Sequence, residues 1–218
     1  MRILITGAAG GIGKATAEYF LARDHEVHGI DLLPSAIQHS RYRHHEADVR
    51  EPRSFPRDLQ PQVLINCAGV QNSSGDIEVN LKGVMNMTEC YAIGNEAIRA
   101  VINLGSASGH TGAEFPEYAA SKGGVIAYTK NTALRLAPQA TCNSIDPGGV
   151  MTELNRCVID NPRLWERIMA MTPMKRWAQP EEIAEWIYFV AVNNRFMTGQ
   201  NLLIDGGEAG NVEFVWED

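Results

Sequence analysis

Short, uninterrupted apolar runs separated by longer segments of helical periodicity constrain this chain more than any other feature. Residues 3–6, 27–31, 63–67, 101–104, 141–145 and 202–205 read as buried strands, and stretches near 12–23, 77–95, 117–137 and 180–192 read as helices. A strand without polar alternation needs cover on both faces, which a parallel sheet obtains from helices that cross back between strands. The expected class is α/β with a doubly wound parallel sheet. At 218 residues the chain can bury one substantial core and is short for two. No repeat or linker divides it, so residues 1–218 are expected to form a single domain. The rhythm breaks between 151 and 179, where Pro162 and Pro173 leave room for a short helix near 163–171. An excursion of that length in a compact domain is usually functional, here as a lid over the site.

Charge narrows the partners. The formal net charge of -7 leaves no broad basic face for nucleic acid. Arg41, Arg43, His44 and His45 do cluster, but Glu46, Asp48 and Glu51 follow at once, and the group reads as a solvated face. Cys67, Cys90, Cys142 and Cys157 lie too far apart for a metal set or a disulfide framework and read as reduced core thiols, with no metal site expected. The chain opens directly on a strand, without a charged leader or long apolar segment. A cytoplasmic location without a membrane partner is the resulting expectation.

Two groups of residues carry chemistry. Thr6-Gly7-Ala8-Ala9-Gly10-Gly11-Ile12-Gly13 lies where the first strand ends and the first helix begins. Glycines there permit a tight turn and close backbone approach, while the free N–H groups and dipole of the helix start attract a pyrophosphate. Asp31 ends the second strand, where a carboxylate accepts hydrogen bonds from ribose hydroxyls and repels a 2′-phosphate, favouring NAD over NADP. Opening the turn before Pro34 is its alternative role. The second group is Tyr118-Ala119-Ala120-Ser121-Lys122. Residues four apart share a helix face, so phenol and ammonium project together. A free tyrosine, with a pKa of about 10, is a poor base at neutral pH, and a nearby cation stabilises its phenolate. A surface pairing of ring and cation would look the same in sequence, but a preceding strand that ends in Leu104-Gly105-Ser106 favours a site.

Taken in order, these motifs resemble the short-chain dehydrogenase/reductase family over nearly the whole chain. The glycine turn is similar to the family's T-G-x-x-x-G-x-G, Asn66-Cys67-Ala68-Gly69 to its N-x-A-G, and Tyr118 to Lys122 to its Y-x-x-x-K. Asn80, Ser106, Pro147-Gly148 with Thr152, Asp205-Gly206-Gly207, and the run from Met174-Lys175-Arg176-Trp177 into Pro180 extend the match. The resemblance implies a Rossmann fold and hydride transfer between NAD(H) and a secondary alcohol or ketone. It also implies roles. Tyr118 is the general acid/base, Lys122 lowers its pKa and binds the nicotinamide ribose, Ser106 holds the substrate oxygen, and Asn80 holds a water on a proton path. Gly7, Gly11, Ile12 and Gly13 cradle pyrophosphate, Asp31 meets the ribose, and Asp48 and Val49 meet adenine. Asn66, Ala68 and Gly69 line the ribose, and Pro147, Gly148, Val150 and Thr152 flank the nicotinamide. Ser108 competes with Ser106, which aligns better with the family's S-x-x-G.

The stretch between Gly69 and Asn80 is shorter than in typical members, and that from Ser106 to Tyr118 is about one residue short. Both border the substrate, whose identity stays open. A regulatory protein that binds NAD(H) without turnover is the alternative, and an epimerase or dehydratase on a nucleotide sugar ranks behind it. Family members pair helices across two-fold axes, and here the helices near 77–95 and 117–137 carry Val84, Met85, Met87 and Tyr91, and Ile126, Tyr128, Leu134 and Leu136. A homodimer or homotetramer is therefore expected.

Overall fold

A computed structural model describes residues 1–211. Its sheet has seven parallel strands in the order β3-β2-β1-β4-β5-β6-β7. They are β1 (Arg2–Thr6), β2 (Glu26–Asp31), β3 (Tyr42–Glu46), β4 (Val63–Asn66), β5 (Ala100–Leu104), β6 (Thr141–Pro147) and β7 (Asn201–Ile204). The helices are α1 (Gly11–Leu21), α2 (Val84–Tyr91), α3 (Ala107–Thr111), α4 (Pro116–Leu136), α5 (Arg156–Ile159), α6 (Pro162–Met171) and α7 (Pro180–Tyr188). This is the doubly wound Rossmann architecture that the apolar runs require.

Alternation along each strand divides the core into two layers. Ile3 and Ile5 of β1, with Val27, Ile65, Ile102 and Ile145, pack on Phe20 of α1 and on Ile183 and Ile187 of α7. Leu4, Ile30, Leu64, Val101 and Cys142 point to the other face and meet Met87 and Tyr91 of α2 and Ala133 and Leu136 of α4. Strand order reverses at β1, whose neighbours are β2 and β4. The crevice beyond the carboxyl ends of β1 and β4 is thus the topological switch point where such sheets bind ligands.

Three expectations need correction. The basic cluster is a solvated face only in part: Arg41 and Arg43 are exposed, but Tyr42–Glu46 form the edge strand β3, on which His44 and His45 are half-buried, and His45 Nε2 lies 3.0 Å from Nδ1 of buried His28. Only Cys142 is a core thiol; Cys67 is half-buried, and Cys90 and Cys157 are exposed. Of the apolar residues named on the two helices expected to pair across a two-fold axis, Val84, Met87, Tyr91 and Leu136 are core, while Met85 and Leu134 remain exposed.

The stretch 151–179 does carry helices, α5 and α6, and α6 buries none of its residues. The helix expected over 77–95 begins with a wide π turn over Glu78–Gly83 that holds Asn80 and runs into α2. Such turns commonly mark functional positions.

Candidate active site

The glycine turn is shaped by close backbone approach. Gly7 has φ +68, and a methyl group on it would come 2.8 Å from the Ala68 nitrogen. One on Gly13 would come 2.1 Å from the Gly7 carbonyl oxygen, so α1 begins hard against the end of β1. On the outer side the turn is open: nothing lies within 4 Å of where a Gly10 methyl would stand, and no side chain caps α1. The first-turn amides have no partner within their own helix. Thr152 closes one side, its Cγ2 3.5 Å from where a Gly11 methyl would be.

The other residues expected at the cofactor divide into those at this crevice and those used elsewhere. Asp31 serves the turn, Oδ2 accepting from Ala9 N–H at 3.0 Å and Oδ1 from Leu33 N–H at 3.0 Å, so its carboxylate is tied to the glycine turn itself. Arg50 grips Asp48 at 2.6 Å and holds its carboxyl below the usual range. Val49 is buried against Gly83. Asn66 faces the sheet interior, where its amide donates to Asn103 Oδ1 at 2.9 Å and to Thr88 Oγ1 at 3.4 Å. Ala68 N–H donates to Thr6 Oγ1 at 3.0 Å, joining β4 to the glycine turn. Pro147 ends β6, Gly148 passes against Asp205, and buried Val150 bridges to Ala178.

The expected catalytic residues do converge. Lys122, 4% exposed, donates from Nζ to the Leu104 carbonyl at 2.8 Å and stands 5.7 Å from the centre of the Tyr118 ring. Burial depresses its ammonium to about 8, against the pull of Cys67, Asp146 and Asp76. Burial also pushes the Tyr118 phenol up, opposed by the nearby Ser106 hydroxyl and reinforced by Glu114 and Asp76. Asn80 Oδ1 accepts from Val70 N–H at 2.8 Å, and its Nδ2 donates to the Val70 carbonyl at 2.9 Å and to Ser121 Oγ at 3.1 Å. Gly69 lies between Asn80 and Lys122; a methyl there would be 3.2 Å from Asn80 Oδ1 and 3.8 Å from Lys122 Nζ. Ser106 caps α3 by accepting from Ser108 N–H at 3.2 Å, whereas Ser108 donates to Glu114 at 2.7 Å.

Several neighbours escaped the sequence reading. Asp146 is fully buried and meets His110 Nε2 at 2.6 Å; burial raises its carboxyl. Its Oδ1 has no partner among the described residues and fits only because position 105 is glycine, where a methyl would stand 2.0 Å away. An acidic residue closing an apolar strand directly before Pro147-Gly148 was the available signal. Asp76, 1% exposed, caps the turn of Ser73. Glu114 carried only the signal of lying in the shortened interval. Among the described residues no His/Cys/Asp/Glu group could hold a metal. A separate cavity of about 790 Å³ opens at the amino ends of the strands, among Arg2, Asp24, Glu26, Arg41 and Arg43, and is lined by none of the catalytic set.

Comparison with known proteins decides the family. The model described as enoyl-(acyl carrier protein) reductase matches residues 63–208. A 3-oxoacyl-[acyl-carrier-protein] reductase of Thermotoga maritima is 32% identical over 94% of this chain and 96% of its own. An uncharacterized oxidoreductase of Schizosaccharomyces pombe is 31% identical over 96% of this chain and 91% of its own. The chain belongs to the short-chain dehydrogenase/reductase family. Among solved structures, a 4-hydroxyisoleucine dehydrogenase mutant complexed with NADH and succinate superposes with a TM-score of 0.88 at 28% identity, over 96% of this chain and 99% of the other. The protein is thus an oxidoreductase acting at hydroxyl-bearing carbons, and a nicotinamide dinucleotide is its cofactor class. The uncapped helix start, the open side of Gly10 and the glycine cradle fit such a group.

The buried lysine has a consequence for stability. Between its folded value of about 8 and its ordinary 10.5, the unfolded chain holds a proton that the folded one has released. Stability contributed by this position therefore rises with pH across that window. Urea denaturation should show the wild type gaining up to about 3 kcal/mol on Lys122→Met between those values, with a constant difference below them.

Proposed function

We propose that this protein transfers a hydride between NAD(H) and a secondary alcohol or ketone, with Tyr118 as general acid/base. The convergence of Ser106, Tyr118 and Lys122 on one point carries the reading, with Lys122 held by the Leu104 carbonyl. The nicotinamide, when bound, supplies or receives the hydride. Ser106 positions the substrate oxygen. In reduction Tyr118 delivers its phenolic proton to that oxygen; in oxidation the phenolate takes the proton back. Lys122 makes the phenolate accessible near neutral pH and binds the nicotinamide ribose, and Asn80 lies where a water would link Lys122 to solvent. Gly7, Gly11, Ile12, Gly13, Asn66, Ala68, Gly69, Pro147, Gly148, Val150 and Thr152 would line the dinucleotide, with Asp48 and Val49 toward its adenine. Tyr118→Phe removes the only proton-exchanging oxygen and keeps the ring, so turnover should fall by about two orders of magnitude or more while calorimetric cofactor binding survives. Near wild-type turnover would overturn the assignment.

The cofactor within that class is NAD. Asp31 sits against the glycine turn, and no Lys or Arg stands in that turn or directly after Asp31 to hold a phosphate. Placing a 2′-phosphate beside this carboxylate costs on the order of 1.4 kcal/mol or more, so NADH should bind at least about tenfold more tightly than NADPH in a fluorescence titration. Equal affinities would contradict this.

Assembly is the third part of the proposal. Met85 and Leu134 remain exposed on α2 and α4, and Trp186, Phe189 and Phe196 are exposed toward the carboxyl-terminal part of the chain. These patches support a homodimer or a homotetramer with dihedral symmetry. Among the described residues no helix is long and apolar enough to cross a membrane, and a cytoplasmic location fits the free cysteines. Light scattering at micromolar concentration should give a mass of two or four chains; a monomer would contradict the assembly.

A further inference from the structure

Beside the catalytic set stand three polar side chains that the hydride-transfer reading does not use. Glu114 Oε2 accepts from Ser108 Oγ at 2.7 Å and from Gln71 Nε2 at 3.3 Å, and Ser106 Oγ donates to Ser108 Oγ at 3.3 Å. They come from separate parts of the chain: Gln71 from the shortened stretch after Gly69, Ser108 from α3, and Glu114 from the turn before α4. Both family departures noted in the sequence, after Gly69 and before Tyr118, therefore meet at this carboxylate. Glu114 has φ +73, a conformation that a glutamate adopts only where its surroundings hold it there.

The carboxylate is exposed, and among the described residues its Oε1 takes no hydrogen bond. It stands two hydrogen bonds from Ser106 Oγ, the atom proposed to hold the reacting oxygen. That separation suits a substituent on a carbon adjoining the reacting one. A carboxylate with a free oxygen attracts hydroxyl and ammonium donors and repels carboxylates and phosphates. An apolar group in the same place would strip water from the charge and offer nothing in return.

We propose that Glu114 is the specificity-determining residue of this site and that it selects substrates bearing a hydrogen-bond donor, a hydroxyl or an ammonium, on the carbon beside the reacting carbinol. The proposal rests on the hydride-transfer reading, because Ser106 marks where the reacting oxygen lies. Glu114 holds the donor, and Ser108 and Gln71 hold Glu114 in place.

A matched set of four-carbon secondary alcohols tests it: 2-butanol, 2,3-butanediol, 3-amino-2-butanol and 3-hydroxybutanoate, each assayed with NAD. The diol and the amino alcohol should exceed 2-butanol in kcat/KM by at least about tenfold, chiefly through KM, with 3-hydroxybutanoate poorest. Glu114→Gln keeps an acceptor and loses the charge, so it should abolish the advantage of the amino alcohol and retain part of the diol's. Glu114→Ala should bring both ratios down to that of 2-butanol. A merely structural Glu114 would lower all four together and leave the ratios unchanged, and that result, or a wild type that prefers 3-hydroxybutanoate, overturns the proposal. Calorimetric binding of the same compounds to the NADH-loaded protein separates the two levels. An inactive protein that still ranks them in this order refutes hydride transfer and keeps the role of Glu114. An active one that ranks 2-butanol level with the diol does the reverse, and a protein that is inactive and binds none refutes both.

Discussion

The rest of the site depends on a buried ammonium. Taking a lysine out of water costs several kcal/mol, and a nearly inaccessible one persists only where fixed partners offset that loss. For Lys122 these are the Leu104 carbonyl at 2.8 Å and the buried carboxyls of Asp146 and Asp76. Meeting the Leu104 carbonyl obliges α4 to cross at the carboxyl end of β5. The backbone yields room for this: a methyl at Gly109 would stand 2.8 Å from the Lys122 carbonyl carbon, and Gly105 makes space for Asp146. Tyr118, one helical turn earlier, is then brought over the ammonium and beside Ser106. Fold and chemistry are set by the same contact.

The two halves of the site are built by different physics. Toward the dinucleotide, backbone meets backbone at Gly7, Gly13 and Ala68, and rigid strand ends fix the distances. On the side of Ser106 and Glu114 the walls are turns and short helices: the stretch after Gly69, α3 and the turn at Glu114. A common cofactor chemistry with a variable substrate is the expected outcome of that division, since loops change without disturbing the sheet. The hydrogen bonds among Ser106, Ser108, Glu114 and Gln71 give the variable half a defined chemical character in this chain.

Legibility in the sequence follows the same boundary. Strands that are apolar throughout, such as Val63–Asn66, announce a doubly covered sheet, and six of the seven were readable in that way. The seventh, β3, is a polar edge strand whose Tyr42, His44 and His45 are half-buried, so composition spoke for a solvated face. Tyr118 and Lys122 were visible because helical spacing alone puts them on one face. The Asn66 side chain bonds across to Asn103 on the face that carries Leu64, a link between strands that the N-x-A-G motif does not record. Glu114 meets Gln71 across 43 positions of chain, and His110 meets Asp146 across 36, so both links arise only through the fold.

The central claim is that Lys122, together with bound oxidised cofactor, makes the Tyr118 phenolate available near neutral pH. In the protein alone burial and neighbouring carboxylates push that phenol up, and the opposite push is the one assigned to Lys122 and the bound oxidised cofactor together. Selective carbon-13 labelling of tyrosine at the hydroxyl-bearing carbon lets NMR titrate Tyr118 directly, with Tyr118→Phe identifying its signal. The account predicts a pKa at least about two units below the ordinary value of about 10 in the NAD-loaded protein, returning upward in Lys122→Met. A Tyr118 that stays protonated to pH 10 or above with NAD bound, or that titrates unchanged when Lys122 is replaced, would contradict it.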